Sequence, residues 1–468
     1  MLSPQPTTTG RAGDRRRLAA LLTVCLGYFM VILDTTVVNI ALPDLRRGLG
    51  ADVAGLAWVV DGYTLALAAF LLPAGGLGDR VGARRTFLAG LAGFTAASAA
   101  CAAAASLPLL VAARVTQGLG AALLIPSSLA LVHATFGDRA GRARAIGTWG
   151  AVGGVAAAAG PVAGGLLVGW AGWRSVFLVN LPVGAATAAL TGRLVPASGH
   201  PGGRGRGMDL GGQAAGVACL ALLTFAVIEG GRPGGAVPGA VAAVAAGAAG
   251  VGFVAAERRA ADPVLPLELF RRPAFAAGTA VGLLLNLGFY GQLFVVGLWL
   301  QQVRGDRPAT AGLLLLAETG MATVSSAASG RLAARVGPRR PLLVGLAAGA
   351  AGLAGLATVG PGAGDVPLAG LLALVGFGMA FAMPAATTAV VDAAPAERVG
   401  VAAAVLTTAR QVGSVLGVAV LGALLGAGQG FLPGMVRGLL LASGAFLLGG
   451  LLTARAVGPG RSPQGPAG

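Results

Sequence analysis

The sequence predicts an all-helical protein that crosses a membrane fourteen times. Three observations predict it. First, 56% of the 468 residues are hydrophobic and only 11% charged, with a mean hydropathy of +0.81; a water-soluble chain of this length carries far more charge on its surface. Second, the apolar residues fall into long runs, each able to cross a hydrocarbon core that needs ~20 residues per helix. Third, the arginines between those runs alternate in abundance, loop after loop.

The first six runs lie near 18–41, 54–74, 86–105, 107–132, 143–168 and 174–194. A loop rich in glycine, arginine and proline (196–208) separates them from two more, 209–229 and 237–256. After a second loop, ADPVLPLELFRRP, come 273–300, 309–330, 341–359, 367–391, 399–425 and 434–455. With the amino terminus (Arg11, Arg15, Arg16, Arg17) in the cytoplasm, 24 arginines fall on the cytoplasmic side, 7 on the other, and Arg114 and Arg410 lie inside runs. That bias orients a helical membrane protein, and an error of one helix would scramble it. Both termini are therefore expected in the cytoplasm, with the first run a retained helix and not a cleaved signal.

The expected organisation follows. Residues 1–17 form a basic cytoplasmic tail, 18–194 an amino-terminal six-helix bundle and 195–272 a linker with two extra transmembrane helices. Residues 273–455 form a carboxy-terminal six-helix bundle, and 456–468 a flexible cytoplasmic tail. An internal echo supports the two bundles. QGLGAALLIP (117–126) matches VGFGMAFAMP (375–384), with Gly118, Gly120 and Pro126 meeting Gly376, Gly378 and Pro384 at one offset. GGLGDRVGARR (75–85) is echoed by SGRLAARVGPRR (329–340). Two related six-helix halves are the build of secondary transporters.

Composition also excludes. The net charge of +16 is scattered in short clusters between apolar runs, so no nucleic-acid partner is expected. All 33 basic residues are arginine; without lysine there is neither a Walker A phosphate-binding loop nor Schiff-base chemistry. Cys25, Cys101 and Cys219 lie inside apolar runs as small packing residues. His133 and His200 lack companion ligands. No metal, cofactor or enzymatic centre is implied. The expected partners are a drug-like small molecule, protons and the lipid bilayer, and a monomer is expected.

Several stretches together resemble the major facilitator superfamily. Gly75, Asp79, Arg80, Gly82, Arg84 and Arg85 in GGLGDRVGARR are similar to its signature loop. LDTTVVNIALP (33–43), RVTQGLGAA (114–122) and GPVAGG (160–165) resemble further motifs of its drug:proton antiporter branch. WRSVFLVNLPVG (173–184) and TTARQVGSVLGVAV (407–420) are similar to stretches of that branch's fourteen-helix division, with the actinobacterial methylenomycin-resistance exporters the nearest flavour. The resemblance implies the major-facilitator fold, two pseudo-symmetric six-helix bundles plus two central helices, in the cytoplasmic membrane. It implies a proton-coupled antiporter exporting amphiphilic small molecules by alternating access. A dedicated exporter of one endogenous antibiotic or metabolite is the alternative within transport, and a membrane sensor or scaffold the alternative outside it.

Asp34 sits mid-run, where a charge costs ~2.5–3.5 kcal/mol on insertion scales. Either it exchanges a proton, with Arg114 as its partner, or it pins helices by hydrogen bonding. Arg114 is correspondingly a relay residue or half of a structural ion pair, and Gln117 and Gly118 share its helix face. Asn39, five residues beyond Asp34, points about 140° away. Within the resemblance, Asp79 holds the inward-closed state through basic residues and a helix N-terminus. This sequence departs from the pattern at Ala83, and its second copy carries Ala334 in place of the acid. Gly154, Gly160, Pro161, Gly164 and Gly165 are either packing residues or the antiporter motif. Arg410 and Gln411 form a second mid-membrane polar pair. Glu318 is a second proton site, a counter-charge for substrate or a hydrogen-bond anchor, and Asp61 is open in the same way. Arg410 is a further candidate proton or charge site. Asn39, Gln117 and Gln411 are candidates to touch substrate, as are Asn286 and Tyr290, one turn apart, for which ordinary packing is an equal reading.

Overall fold

In a bilayer every backbone N–H and C=O must be satisfied within its own segment, and a helix does this. The computed structural model describes residues 9–136, 138–195, 210–259, 265, 267–395, 398–426 and 430–458. It is helical nearly throughout, with fourteen stretches long and apolar enough to cross a membrane. The helices are α1 (Thr9–Leu49), α2 (Val53–Val81), α3 (Ala83–Ala103), α4 (Leu107–Thr135), α5 (Arg139–Ala171), α6 (Ser175–Leu178) and α7 (Asn180–Leu194). There follow α8 (Leu210–Gly230), α9 (Ala236–Arg259), α10 (Pro273–Gln302), α11 (Pro308–Val336), α12 (Arg339–Ala357), α13 (Asp365–Asp392), α14 (Val399–Gly426) and α15 (Phe431–Ala456).

Most helices overrun the apolar runs that announce them, because polar residues cap them beyond the hydrocarbon. The Asp52 carboxylate accepts the Gly55 N–H at 2.8 Å to start α2, and Asp138 accepts the Gly141 N–H at 2.7 Å to start α5, each satisfying an orphan donor of a first turn. Asp138 is exposed, and the Gly141 bond holds its carboxyl below the usual range. The sixth run crosses as one stretch, Ser175–Leu194, with a turn inside its helix. That turn, at Val179, divides it into α6 and α7, and Pro182 falls in the first turn of α7, where a missing N–H breaks no helical bond.

The halves repeat each other in contacts as well as in sequence. A Cβ on Gly118 of α4 would collide with the Tyr63 carbonyl of α2, and one on Gly376 of α13 with the Glu318 carbonyl of α11. Gly120 lies against Gly90 and Phe94 of α3 as Gly378 lies against Gly345 and Gly349 of α12. Such backbone-to-backbone approaches need residues without side chains.

Calling the membrane face where α1 starts the near end, the halves are tied together from mid-membrane to the far end. Arg46 of α1 donates to Gln302 Oε1 of α10 at 2.6 Å, and Gln301 Nε2 donates to the Ile40 carbonyl at 3.0 Å. Gly165 of α5 packs on Pro308 and Ala309 of α11, and Gly312 of α11 on the Pro161 carbonyl. Gly422 of α14 meets Ala57 of α2. The α8–α9 hairpin lies outside this bundle and reaches it through α8, which touches both α2 and α14. At its far-end turn, Arg232 donates to both Asp52 oxygens (3.0 and 2.9 Å) and to Glu229 (2.6 Å), while the Trp58 indole donates to Glu229 (2.9 Å).

Candidate functional site

Asp34 lies on the inner face of α1, buried without exposure. Its Oδ2 accepts from Arg114 Nη1 of α4 at 2.5 Å. Its Oδ1 accepts from Gln117 Nε2 of α4 and from Asn180 Nδ2 of α7, each at 2.9 Å. Gln117 ties the group together: its Oε1 accepts from Arg114 Nη1 at 2.7 Å and its Nε2 also donates to Ser98 Oγ of α3 at 2.8 Å. Asn180 donates to the same Ser98 oxygen at 3.3 Å, and the Cys101 thiol lies 3.7 Å from Gln117 Oε1. Arg114 spends its Nε on the Val59 carbonyl of α2 at 3.0 Å. The Tyr63 ring lies 4.3 Å below its guanidinium carbon, with Phe177 of α6 at 5.8 Å.

A buried carboxylate is stable only when paired and hydrogen-bonded, and here both oxygens are served. Donors from α4 and α7 meet the α1 carboxylate, and α2 and α3 hold those donors in turn. The sequence anticipates Asp34, Arg114 and Gln117, and Asn39 keeps apart as its helical angle requires, donating to the Thr35 carbonyl of its own helix at 3.1 Å. Asn180 and Ser98 are not anticipated. An asparagine inside the apolar VFLVNLPVG was the available signal for the first. A serine in an alanine-rich helix gives none for the second.

The other acids stand apart from this cluster. Asp61 of α2 is fully buried, and neither of its oxygens has a partner. Glu318 of α11 is also fully buried; its Oε2 accepts from Gln292 of α10 at 3.4 Å, while its Oε1 has none. Asn286 is buried in α10 with an unpartnered Oδ1, whereas Tyr290, one turn on, is partly exposed beside Phe289. Arg410 and Gln411 of α14 are both partly exposed.

The glycine motif of α5 divides between two neighbours. Gly160 and Gly164 receive α1 at Thr36, Val37 and Ile40. Gly165 and Pro161 receive α11 of the other half, and the Gly154 carbonyl accepts from Thr323 Oγ1 at 3.3 Å. The signature loop does something local. Gly82 takes a positive φ of 98° between α2 and α3, and Arg84 donates to the Gly192 carbonyl at 2.8 Å, satisfying the open end of α7. Its echo behaves alike, with Gly337 at φ 78° and Arg339 donating to the Ala454 carbonyl of α15 at 2.9 Å. A cation at a helix C-terminus meets both orphan carbonyls and the dipole. Gly75 faces Pro126 of α4 at 4.0 Å, and Arg80 and Arg85 are exposed. The Asp79 and Ala334 side chains, His200 and the last ten residues lie outside the described residues.

With this geometry in view, the chain can be set beside known proteins. The family model described as Major Facilitator Superfamily matches residues 24–418. Multidrug resistance protein Stp of Mycobacterium tuberculosis is 39% identical over 415 residues, covering 88% of this chain and 77% of that protein. Methylenomycin A resistance protein of Streptomyces coelicolor is 37% identical over 445 residues, covering 94% and 93%. Among solved structures, a point mutant of the nucleoside transporter NupG superposes with a TM-score of 0.69 at 12% identity, covering 94% of this chain and all of that one. The chain belongs to the Major Facilitator Superfamily, alongside its drug-resistance exporters.

Proposed function

We propose that this transporter is a proton-coupled antiporter that exports amphiphilic small molecules across the cytoplasmic membrane. The observation that carries the reading is the sealed ion pair of Asp34 and Arg114 inside the amino-terminal half. In the conformation described, the halves are joined at the far end, so substrate enters from the near end, which the arginine bias makes cytoplasmic. Asp34 releases its proton to water on the near side as the near end opens, its carboxylate then held by Arg114, and regains one when the far end opens and water reaches α1. Protonation cancels the carboxylate charge that holds Arg114, loosening α1 from α4 and coupling the proton to the rocking of the halves. Asp61 and Glu318, each with a buried oxygen that nothing serves, act as further protonation sites: a carboxyl group without donors in one conformation is one that another conformation must serve.

The driving force suffices. One charge crossing ~100 mV supplies about 2.3 kcal/mol, or roughly fifty-fold accumulation at 1.4 kcal/mol per decade, before any pH gradient is added. In inverted membrane vesicles with an imposed pH gradient, Asp34→Asn is expected to abolish drug uptake while the protein remains inserted at wild-type levels. Gradient-dependent uptake at the wild-type rate would remove the mechanism. A second reading is a dedicated exporter of one antibiotic; one relative is named for resistance to methylenomycin A. A resistance panel separates the two, since a single protected compound selects the dedicated exporter.

A further inference from the structure

The α8–α9 hairpin is bound to a different half at each of its ends. α9 runs for 24 residues, about 36 Å at 1.5 Å per residue, so the hairpin spans the whole hydrocarbon core. Its far end belongs to the amino-terminal half. Arg232 of the turn holds both oxygens of Asp52, which caps α2, and the Trp58 indole of α2 donates to Glu229 at the end of α8. One turn earlier in α8, the Phe225 ring lies 6.2 Å from that of Trp58.

Its near end belongs to the carboxy-terminal half. Glu257, in the last turn of α9, is 3% exposed, and its Oε2 accepts the Leu265 N–H at 2.7 Å, a charge-assisted bond out of reach of water. Leu265 packs into an apolar cluster of Leu269, Phe275, Val390 and Leu406, supplied by the segment ahead of α10 and by α10, α13 and α14. The same segment is pinned three times more. Glu268 accepts from Arg398, just ahead of α14, at 3.1 Å. Phe270 stands edge-on to Phe275 of α10 at 5.2 Å. Arg272 donates to the Ala393 carbonyl behind α13 at 2.8 Å.

We propose that the hairpin is a crosswise tie, joining the far end of one half to the near end of the other and so confining their relative motion to rocking. The reason is geometric. When two rigid halves rock about an axis at mid-membrane depth, the far end of one and the near end of the other shift sideways in the same direction, and a link between them keeps its length. A link between like ends would have to stretch by the width of the opening. Sliding of one half past the other along the membrane normal, or drifting apart, alters the length of the crosswise link and loads its charged joints. Rocking is the motion that the tie leaves free. The inference rests on the alternating-access part of the export reading, and on neither the proton nor the substrate.

The test is hydrogen–deuterium exchange on the purified full-length chain in detergent, followed at residues 301–308, whose joints with α1 and α5 break when the far end opens. Three cysteine pairs are compared, each bridged and unbridged. Arg232→Cys with Asp52→Cys, and Glu257→Cys with Leu265→Cys, are joined by a short bis-maleimide across one tie each. Gly231→Cys is oxidised onto Ala423→Cys of α14, since a Cβ on Gly231 would lie 2.6 Å from that of Ala423. Each rate is corrected for the effect of the same reagent on the native chain with its three cysteines. Bridging either tie is expected to leave exchange within twofold. Bridging the turn to α14 fastens the hairpin to the far ends of both halves and should slow exchange at least tenfold. More than twofold slowing from either tie bridge, or less than tenfold from the α14 bridge, would overturn the proposal. Should one tie pair not elute as a folded species, the other tie decides; should the α14 pair not, Gly426→Cys replaces Ala423→Cys, because Gly426 also faces Gly231. Exchange requires neither substrate nor gradient, so a failure of the Asp34→Asn vesicle experiment and a failure here are told apart.

Discussion

Asn180 accounts for one of the three donors on Asp34, yet it comes from a helix whose start the apolar pattern hides. Replacing it with leucine removes a donor from a fully buried carboxylate, a change that costs about 1–3 kcal/mol when a buried acceptor is left short. The expected outcome for Asn180→Leu is a lowered melting temperature in detergent and at least tenfold slower export, read by thermal-shift and efflux assays. Arg114→Leu should be worse, about 3–5 kcal/mol, because it strands a buried charge. Most of that loss should return in the double variant with Asp34→Asn, which a double-mutant cycle measures. Asp34 and Arg114 were legible because charges in apolar runs are conspicuous. Ser98 was not, since a hydroxyl in a helix usually bonds a carbonyl one turn back, and here it does both, donating to the Phe94 carbonyl at 2.9 Å while accepting from Gln117.

At the scale of elements, the fourteen runs were readable from hydropathy because a bilayer permits so few backbone solutions. The break at Val179 was not, since the apolar pattern continues across it. The α5 motif illustrates a subtler limit. GPVAGG announces close packing, but only the structure divides it, with Gly160 and Gly164 serving α1 and Gly165 serving α11 across the seam. Gly165→Leu and Gly312→Leu should therefore hinder joining of the halves at the far end without unfolding either half. Insertion should be normal and transport reduced at least tenfold, whereas the same change at Gly169, where a Cβ meets nothing within 4 Å, should be silent in the same efflux assay. The twin contacts of Arg84 and Arg339 show why the acid missing from the second copy does not unmake the loop: each arginine anchors a helix end within its own half. Arg84→Ala should lower thermal stability by about 0.3–1 kcal/mol, the usual worth of a cation at a helix terminus, with little change in transport.

For the whole molecule, the far-end joints imply that export requires them to open. A cysteine pair at Arg46→Cys and Gln302→Cys, bridged by a short bis-maleimide, is expected to stop transport, with each singly substituted and treated protein remaining active; continued efflux of the bridged protein would show that this end stays shut throughout the cycle. The hairpin clasp has its own pH signature. Burial acts to raise the Asp52 carboxyl, but the bonds from Arg232 and from the Gly55 N–H outweigh it and hold it below the usual range. A lowered carboxyl stabilises the folded form above its ordinary titration range, and that contribution fades as pH falls through the lowered value. Asp52→Asn should therefore cost no more than ~1 kcal/mol at neutral pH, as exposed ion pairs do, and the difference from the native protein should shrink in strong acid.

The two sides of the α8–α9 turn are held by unlike means. Toward α2 there are charged bonds and an indole donor; toward α14 the contacts described are apolar, Gly231 packing on Ala423 and Gly426. When α2 and α14 part, the turn must travel as a passenger of the amino-terminal half and skate across α14. Paired spin labels would register this directly, with an unchanging separation between the turn and α2 and a lengthening one between the turn and the tip of α14.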